Sequence, residues 1–253
     1  MSPNTNTHTC MLVLIFLHLY CLTLLASSKS ESIECIPSER EALVTFKEHL
    51  IDPSNRLSSW NISNPNCCHW DYVVCSNNVT AHVLQLHLNT SRDPFHYEDK
   101  FNYLCYQKYM FSGEINDSVL ELKHLNYLDL SGNDFGGMQV PTFLFSITSL
   151  THLDLFDAGF EGKIPNQIGN LSNLLHLDLS HSIIGTIPHQ IGNLTNLIHL
   201  GLQSDFGEQL LFHVGNVHWL SGLTSLEYLD SSGANLSKSL DWLQTMQALP
   251  SLR

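Results

Sequence analysis

Residues Leu122 to Leu130 read LKHLNYLDL, with leucine at the first, fourth, seventh and ninth places. The same L-x-x-L-x-x-L-x-L phase returns at Ile147, Leu150, Leu153 and Leu155, and again at Leu171, Leu174, Leu177 and Leu179. It continues at Leu194, Leu197, Leu200 and Leu202, and at Leu223, Leu226 and Leu229. The starting positions stand 25, 24, 23 and 29 residues apart. A period of that size marks a solenoid, in which one supersecondary unit buries its apolar face only by stacking on its neighbours. An earlier copy is visible at Val83, Leu86 and Leu88, and another begins at Leu249 and Leu252.

Each L-x-L is expected to be a short strand with two side chains inward and the one between them outward, since alternate residues of a strand face opposite ways. Stacking such strands makes a parallel sheet. An inward Leu or Ile contributes roughly 1.5 to 3 kcal/mol on burial, and that burial requires the next coil. Ser231 replaces one inward leucine. Asn133 occupies the turn position where a side-chain amide can satisfy backbone groups, but Ala158, Ser182, Asp205 and Ala234 replace it in later coils, so an amide ladder is expected to be interrupted.

Seven residues before the coil starts stand Ile115, Val140, Ile164 and Ile187, the last three followed by Pro141, Pro165 and Pro188; Asn116 takes the proline position in the first. Gly113, Gly162 and Gly185 precede the isoleucines by two, so the linking segment reads G-x-I-(P).

Working back toward the N-terminus, PSEREALVTFKEHL predicts a short amphipathic helix. Ser38 and Glu41 have capping-box spacing, and Ala42, Leu43, Phe46 and Leu50 recur at helical intervals. Trp60 and Trp70 are expected to cover its apolar face. Before it, Met11 to Ala26 is an apolar run followed by small residues, which reads as an export signal over 1–28 although no Lys or Arg precedes it. Export makes disulfides the expected state of Cys35, Cys67, Cys68 and Cys75. Cys67 and Cys68 are adjacent and do not easily pair with each other, leaving either Cys35 with Cys67 and Cys68 with Cys75, or the crossed arrangement. Cys105 is left over. Sequons at Asn61, Asn78, Asn89, Asn116, Asn170, Asn193 and Asn235 agree with secretion.

Composition narrows the function. A chain of 253 residues cannot hold a receptor plus a kinase, and 43% hydrophobic against 14% charged residues excludes a disordered tail. Eleven Lys and Arg against 24 Asp and Glu, a formal net charge of -13, argue against a nucleic-acid partner. No nucleophile elbow, phosphate-cradling glycine loop or metalloprotease helix is present, so no catalytic residues and no enzymatic activity are expected.

The G-x-I-(P) repeat, with ELKHLNYLDLSGNDF, LEYLDSSGANLS and the cap text CIPSEREAL to CCHWDYVVC, resembles plant extracellular leucine-rich-repeat receptor-like proteins of the ethylene-inducing-xylanase receptor type over residues 35 to 253. The resemblance implies an α/β solenoid: a right-handed leucine-rich-repeat superhelix with a parallel concave sheet and a disulfide-bonded helical N-terminal cap. It also implies the pairing of Cys35 with Cys67 and of Cys68 with Cys75. The domain reading is an export signal over 1–28, a cap over 35–76, and repeats over 79–253, about six plus the start of another, with an insertion at about 92–109.

Two outward columns are the candidate ligand-binding residues on the concave face. One holds Gln85, Tyr127, His152, His176, His199 and Tyr228; the next holds Asp129, Asp154, Asp178 and Asp230, broken by His87 and Gly201. Histidine and aspartate ligate zinc, yet copies of one position follow from repetition alone and specify no open site, so neither a metal nor any other cofactor is expected. A polar recognition surface is the expectation, gaining charge on the histidines near their usual titration range because carboxylates stand beside them. The insertion, rich in Phe95, His96, Tyr97, Phe101, Tyr103, Tyr106 and Tyr109, either touches ligand or covers the first coils; residues 204–219 form a second long loop.

These features and the resemblance imply the N-terminal part of a receptor ectodomain that senses a microbial protein, peptide or carbohydrate elicitor in defence, with a co-receptor kinase as partner and plasma membrane or apoplast as location. The chain is read as cut before any membrane anchor. The alternative is a secreted inhibitor of microbial wall-degrading enzymes resembling polygalacturonase-inhibiting proteins.

Overall fold

The structure, a computed structural model, describes residues 34–77, 80–90, 106–182, 187–204, 217–233, 239 and 242–253. The expected export signal, Cys105, Asn78, Asn235, Gly185, Asp205, Ala234 and most of both long loops lie outside the described residues.

Every L-x-L of the repeat centres on a strand. Strands β3 (Val83–His87), β5 (Tyr127–Asp129), β6 (His152–Asp154), β7 (His176–Asp178), β8 (His199–Gly201) and β9 (Tyr228–Asp230) pair in parallel in chain order, and β2 (Val73–Cys75) adds antiparallel to β3. The register aligns Leu86, Leu128, Leu153, Leu177, Leu200 and Leu229 across the sheet. A slip of one residue would turn this leucine row to solvent, so burial of one face fixes the pairing. Leu128 is 1% exposed, and Leu153, Leu177 and Leu200 are fully buried in one continuous core.

The chain returns behind the sheet through five short 3-10 helices, Asp117–Glu121, Thr142–Ser146, Asn166–Asn170, His189–Asn193 and His218–Gly222. Pro141, Pro165 and Pro188 sit at the N-cap of three of them with φ between -62° and -71°, the value that the pyrrolidine ring imposes. Asn116 reaches the same result chemically: its Oδ1 accepts from the Ser118 backbone N–H at 3.0 Å. Gly113 and Gly162, two residues before the apolar anchor, have φ of +92° and +95°, and a Cβ on Gly113 would strike the carbonyl of His49.

At the asparagine position the amide ladder is interrupted at Ala158, as expected, but a hydroxyl takes over part of its role. Asn133 is 1% exposed and uses its whole amide: Nδ2 donates to Leu88 O at 2.8 Å and Leu130 O at 2.7 Å, while Oδ1 accepts from Phe111 N and Thr90 Oγ1 at 2.9 Å. At Ala158 the amide is missing, but Ser182 of the following coil donates to Leu155 O at 2.5 Å and accepts from Ala158 N at 3.1 Å. A hydroxyl is long enough here because it serves the preceding coil directly, so between these two coils a hydroxyl replaces the amide.

The cap begins with helix α1 (Pro37–His49), strand β1 (Leu50–Ile51) and its antiparallel partner β4 (Ser112–Gly113). The capping box does not form. Helix α1 starts with Pro37 at its first position, Ile36 as N-cap and no side-chain cap, which moves Ser38 and Glu41 inside the helix. Glu39 instead turns into the protein, 3% exposed, accepting from the Val83 N–H at 2.7 Å and facing His82 Nδ1 at 2.9 Å, and so ties the helix to the first strand of the array. Trp60 and Trp70 stack at 5.9 Å and share one buried core with Leu43 and Phe46. The disulfides are Cys35–Cys67 and Cys68–Cys75, with Cα separations of 5.3 and 5.5 Å. A last short helix, α2 (Trp242–Gln247), follows β9. Among the described residues no helix is long and apolar enough to cross a membrane.

Candidate functional site

Parallel pairing in register places like positions of successive coils side by side, about 4.8 Å apart in a β-sheet. Gln85, Tyr127, His152, His176, His199 and Tyr228 therefore form one file on the open face of the sheet. The rings stack. Tyr127 lies 4.0 Å from His152, His152 4.1 Å from His176, His176 4.2 Å from His199, and His199 4.5 Å from Tyr228, with planes 6° to 13° from parallel. Gln85 does not join the stack; its Oε1 meets His87 Nε2 at 2.9 Å, and the His87 ring leans on Tyr127 at 4.4 Å.

Repetition alone spaces the rings to within the contact distance of aromatic faces, which gives a continuous ribbon bounded by two tyrosines. The stack has a polar cost. His152 Nε2, His176 Nε2 and His199 Nδ1 are buried and lack a hydrogen-bond partner.

The second file is Asp129, Asp154, Asp178 and Asp230, with Gly201 between the last two. These aspartates have a structural duty that the outward pattern did not reveal. Oδ1 of Asp129, Asp154, Asp178 and Asp230 accepts from the backbone N–H two residues on, at Ser131, Phe156, Ser180 and Ser232, at 2.8 to 2.9 Å. Each is an Asx turn closing the strand. The signal was available, since an aspartate recurred at one place immediately before a turn. Asp129 is the most enclosed of them, 6% exposed. At the break, a side chain on Gly201 would collide with the Asp178 carboxyl group, so the missing side chain is the space that Asp178 fills.

Electrostatics here oppose the expectation that the histidines gain charge in their usual range. Burial, reinforced by the neighbouring imidazoles, holds His152 down from 6.5 to about 4; burial and His199 do the same to His176, against the opposing pull of Asp178. His199 is lowered by burial in spite of Asp178 and Asp230. Desolvation and the proximity of other histidines outweigh the carboxylates because each cation would have to form inside a stack. Asp154 moves the other way. Burial raises it from 3.8 to about 7, opposed by the Phe156 N–H and helped by Asp129 and Asp178. Tyr127 is also raised, by burial, by Asp129 and Asp154, and by its hydrogen bond with Asp129.

Two further features were not singled out from sequence. Leu175 and Ile198, each immediately before a ladder histidine, are 41% and 40% exposed and form an apolar strip beside the ribbon. Arg56 pins the exit of the insertion: it donates to Thr90 Oγ1 at 2.8 Å, Tyr109 O at 2.9 Å and Asn89 O at 2.6 Å, with its guanidinium 4.3 Å over Phe111. Tyr106 helps by donating to Gly132 O at 2.8 Å. This described end of the insertion packs on the first coils. Among the sequons, Asn61, Asn170 and Asn193 are exposed, whereas Asn116 Nδ2 is engaged with Thr45 O at 3.0 Å and His49 Nδ1 at 2.6 Å.

Residues 36–76 match the leucine rich repeat N-terminal domain and residues 109–253 the leucine-rich repeat region. The chain is 32% identical over 225 residues to receptor-like protein EIX1 of Solanum lycopersicum, covering 87% of this chain and 18% of that protein. It is 27% identical over 158 residues to polygalacturonase inhibitor 1 of Oryza sativa subsp. japonica, covering 62% of this chain and 34% of that protein. Among solved structures, a chain of the BIR3–SERK2 complex from Arabidopsis thaliana superposes with a TM-score of 0.56 at 28% identity, over 77% of this chain and 96% of that one. The chain thus spans less than a fifth of the receptor-like protein and about a third of the inhibitor.

Proposed function

The chain belongs to the leucine-rich-repeat family, and from that premise we propose that it forms the N-terminal part of the extracellular recognition module of a plant receptor-like protein. Its ligand is a microbial protein, peptide or carbohydrate elicitor, its downstream partner a co-receptor kinase, and its role non-catalytic. The observation that carries this reading is the ribbon of stacked rings from Tyr127 to Tyr228 on the open face of the sheet. The ring edges along the stack and the exposed Tyr228 at its end offer polar and apolar contact, a flank of Leu175 and Ile198 adds apolar surface, and the aspartate file lines the other side. The likeness to receptor-like protein EIX1 supports the receptor reading, and the likeness to a chain of the BIR3–SERK2 complex supports pairing with a second protein.

Surface binding of the secreted chain to a purified fungal xylanase tests the reading. Binding that is lost in the triple variant His152→Ala, His176→Ala, His199→Ala, with the thermal transition retained, supports it. Binding unchanged by that variant removes the ribbon from recognition.

The likeness to polygalacturonase inhibitor 1 favours a second reading, inhibition of a microbial wall-degrading enzyme. A rate assay of fungal polygalacturonase with and without the chain separates the two, because an elicitor sensor leaves the rate untouched.

A further inference from the structure

The ribbon and the carboxylate file together bring cation-ligating atoms within reach of one another. His152, Asp154 and His176 form one set and His176, Asp178 and His199 a second; in each, one ligand atom from every residue lies within 4.8 Å of the others. Two independent features of the site point to a ligand.

First, the imidazole atoms His152 Nε2, His176 Nε2 and His199 Nδ1 are buried without a hydrogen-bond partner. An unpartnered buried polar atom costs about 1 to 3 kcal/mol, so three on adjacent coils are an unusual concentration of unmade interactions. Second, among the described residues no ion pair meets the carboxylates beside them. The salt bridges among the described residues join His82 to Glu39, Lys123 to Glu121 and Arg253 to Glu227, and none reaches Asp129, Asp154 or Asp178. Beside His199, Gly201 leaves the room that the Asp178 carboxyl group occupies.

We propose that this cluster binds one divalent transition-metal cation of the Zn2+ or Cu2+ class, with His176 as the ligand common to both sets. Two imidazoles and one carboxylate are the donor set that such ions prefer, leaving a coordination position for water. Calcium and magnesium require several oxygen ligands, which these residues do not supply. Metal–nitrogen bonds near ~2.0 to 2.1 Å are shorter than the present spacing allows, so the rings must part and turn about χ2, a broad and soft torsion in histidine. Each set needs the His176 imidazole, so a single ion is held at a time, either between coils β6 and β7 or between β7 and β8. This claim does not rest on the elicitor reading and requires no elicitor for its test.

Chelator-stripped, secreted protein of the full chain is titrated with ZnCl2 and CuCl2 by calorimetry, with CaCl2 and MgCl2 in parallel. One equivalent of Zn2+ or Cu2+ binds and neither alkaline-earth ion does. His176→Gln weakens binding on the order of 100-fold or more, as loss of a shared ligand requires, while His152→Gln or His199→Gln alone leaves the alternative set and costs about tenfold or less. The double variant His152→Gln, His199→Gln matches His176→Gln. Thermal transitions confirm folding of each variant. In the unsubstituted protein, substoichiometric Cu2+ broadens the imidazole resonances of His152, His176 and His199 before those of His82, His124, His189 and His218, which keeps the claim testable if a variant does not fold. The claim is overturned by the absence of Zn2+ and Cu2+ binding, by binding that His176→Gln leaves intact, or by uniform broadening of all histidines.

Discussion

The imidazoles of His152 and His176 lie face to face, 4.1 Å between centroids and 8° from parallel, in a stack that leaves each with a buried, unpartnered nitrogen. Such a pair resists double protonation, and its consequence for stability has a definite sign. Both groups are held near 4 in the fold but take protons near 6.5 when unfolded. The unfolded chain therefore binds more protons between about pH 6.5 and 4, and this contribution to stability is lost as pH falls through that window. Asp154, raised from 3.8 to about 7, acts oppositely: its contribution is present at low pH and lost as pH rises toward 7.

Two strongly lowered histidines outweigh one raised carboxylate below 6.5, whereas only Asp154 acts above it. The groups facing them are His87 from β3, Tyr127 and Asp129 from β5, Asp178 from β7, and His199 from β8 with Asp230 beyond it. With chelator present, urea midpoints of the native protein are expected to peak near pH 6.5, falling toward pH 5 less steeply in His152→Gln. Asp154→Asn should remove the decline from 6.5 to 8. A wild-type midpoint at pH 5 equal to that at 6.5 would contradict the assignment.

Asn133→Ala is expected to destabilise the array by about 2 to 4 kcal/mol. The substitution deletes three donated hydrogen bonds, one of them long at 3.4 Å, and two accepted ones at a residue 1% exposed, and it leaves the Phe111 N–H and the Leu88 carbonyl without partners in the interior. Ala158→Asn, which restores the repeat pattern one coil later, should not repay the loss, because the Ser182 hydroxyl already serves Ala158 N and Leu155 O. Denaturant unfolding of both variants checks the pair; equal stability for Asn133→Ala would show that water replaces the amide.

Much of this architecture was legible because the repeat constrains it twice, in spacing and in burial. The leucine row from Leu86 to Leu229, the strand centres and the prolines at the 3-10 helix starts follow from one periodic pattern. What was hidden depends on directions in space that a pattern does not encode. Ser38 and Glu41 carry a capping box in spacing, yet Pro37 starts the helix one residue too early for it, and Glu39 turns inward. The outward file of histidines was readable, but their neutral state was not, because it arises from ring-on-ring burial and not from the aspartates next in sequence. Arg56 carried no motif at all; its importance comes from an insertion exit folded back over the cap.

Glu39→Ala should cost more than removal of a surface carboxylate, roughly 1 to 3 kcal/mol, since the Val83 N–H loses its acceptor in a buried setting. Glu39→Gln retains one acceptor oxygen and is expected to lose less. Hydrogen exchange at the Val83 amide is the direct readout, rising in Glu39→Ala well before amides of β7 respond. If exchange at Val83 is unchanged, the helix is held to the array by its apolar face alone.

Ser231 stands where Leu130, Leu155, Leu179 and Leu202 stand in the preceding coils, and those four are at most 3% exposed. Ser231 itself is half-buried, and the adjacent Leu229 is only partly covered, so the core thins at the coil of β9. Ser231→Leu adds apolar surface next to Leu202 in a site that already has the leucine backbone geometry. At about 25 cal/mol per Å2 of apolar area removed from water, burial of half a leucine side chain stabilises by roughly 1 kcal/mol. The thermal midpoint is therefore expected to rise by a few degrees, with the denaturant dependence unchanged. A fall instead would mean that the Ser231 side chain faces an occupied space, and that the inward register established from Leu86 to Leu200 does not extend through the strand at Tyr228–Asp230.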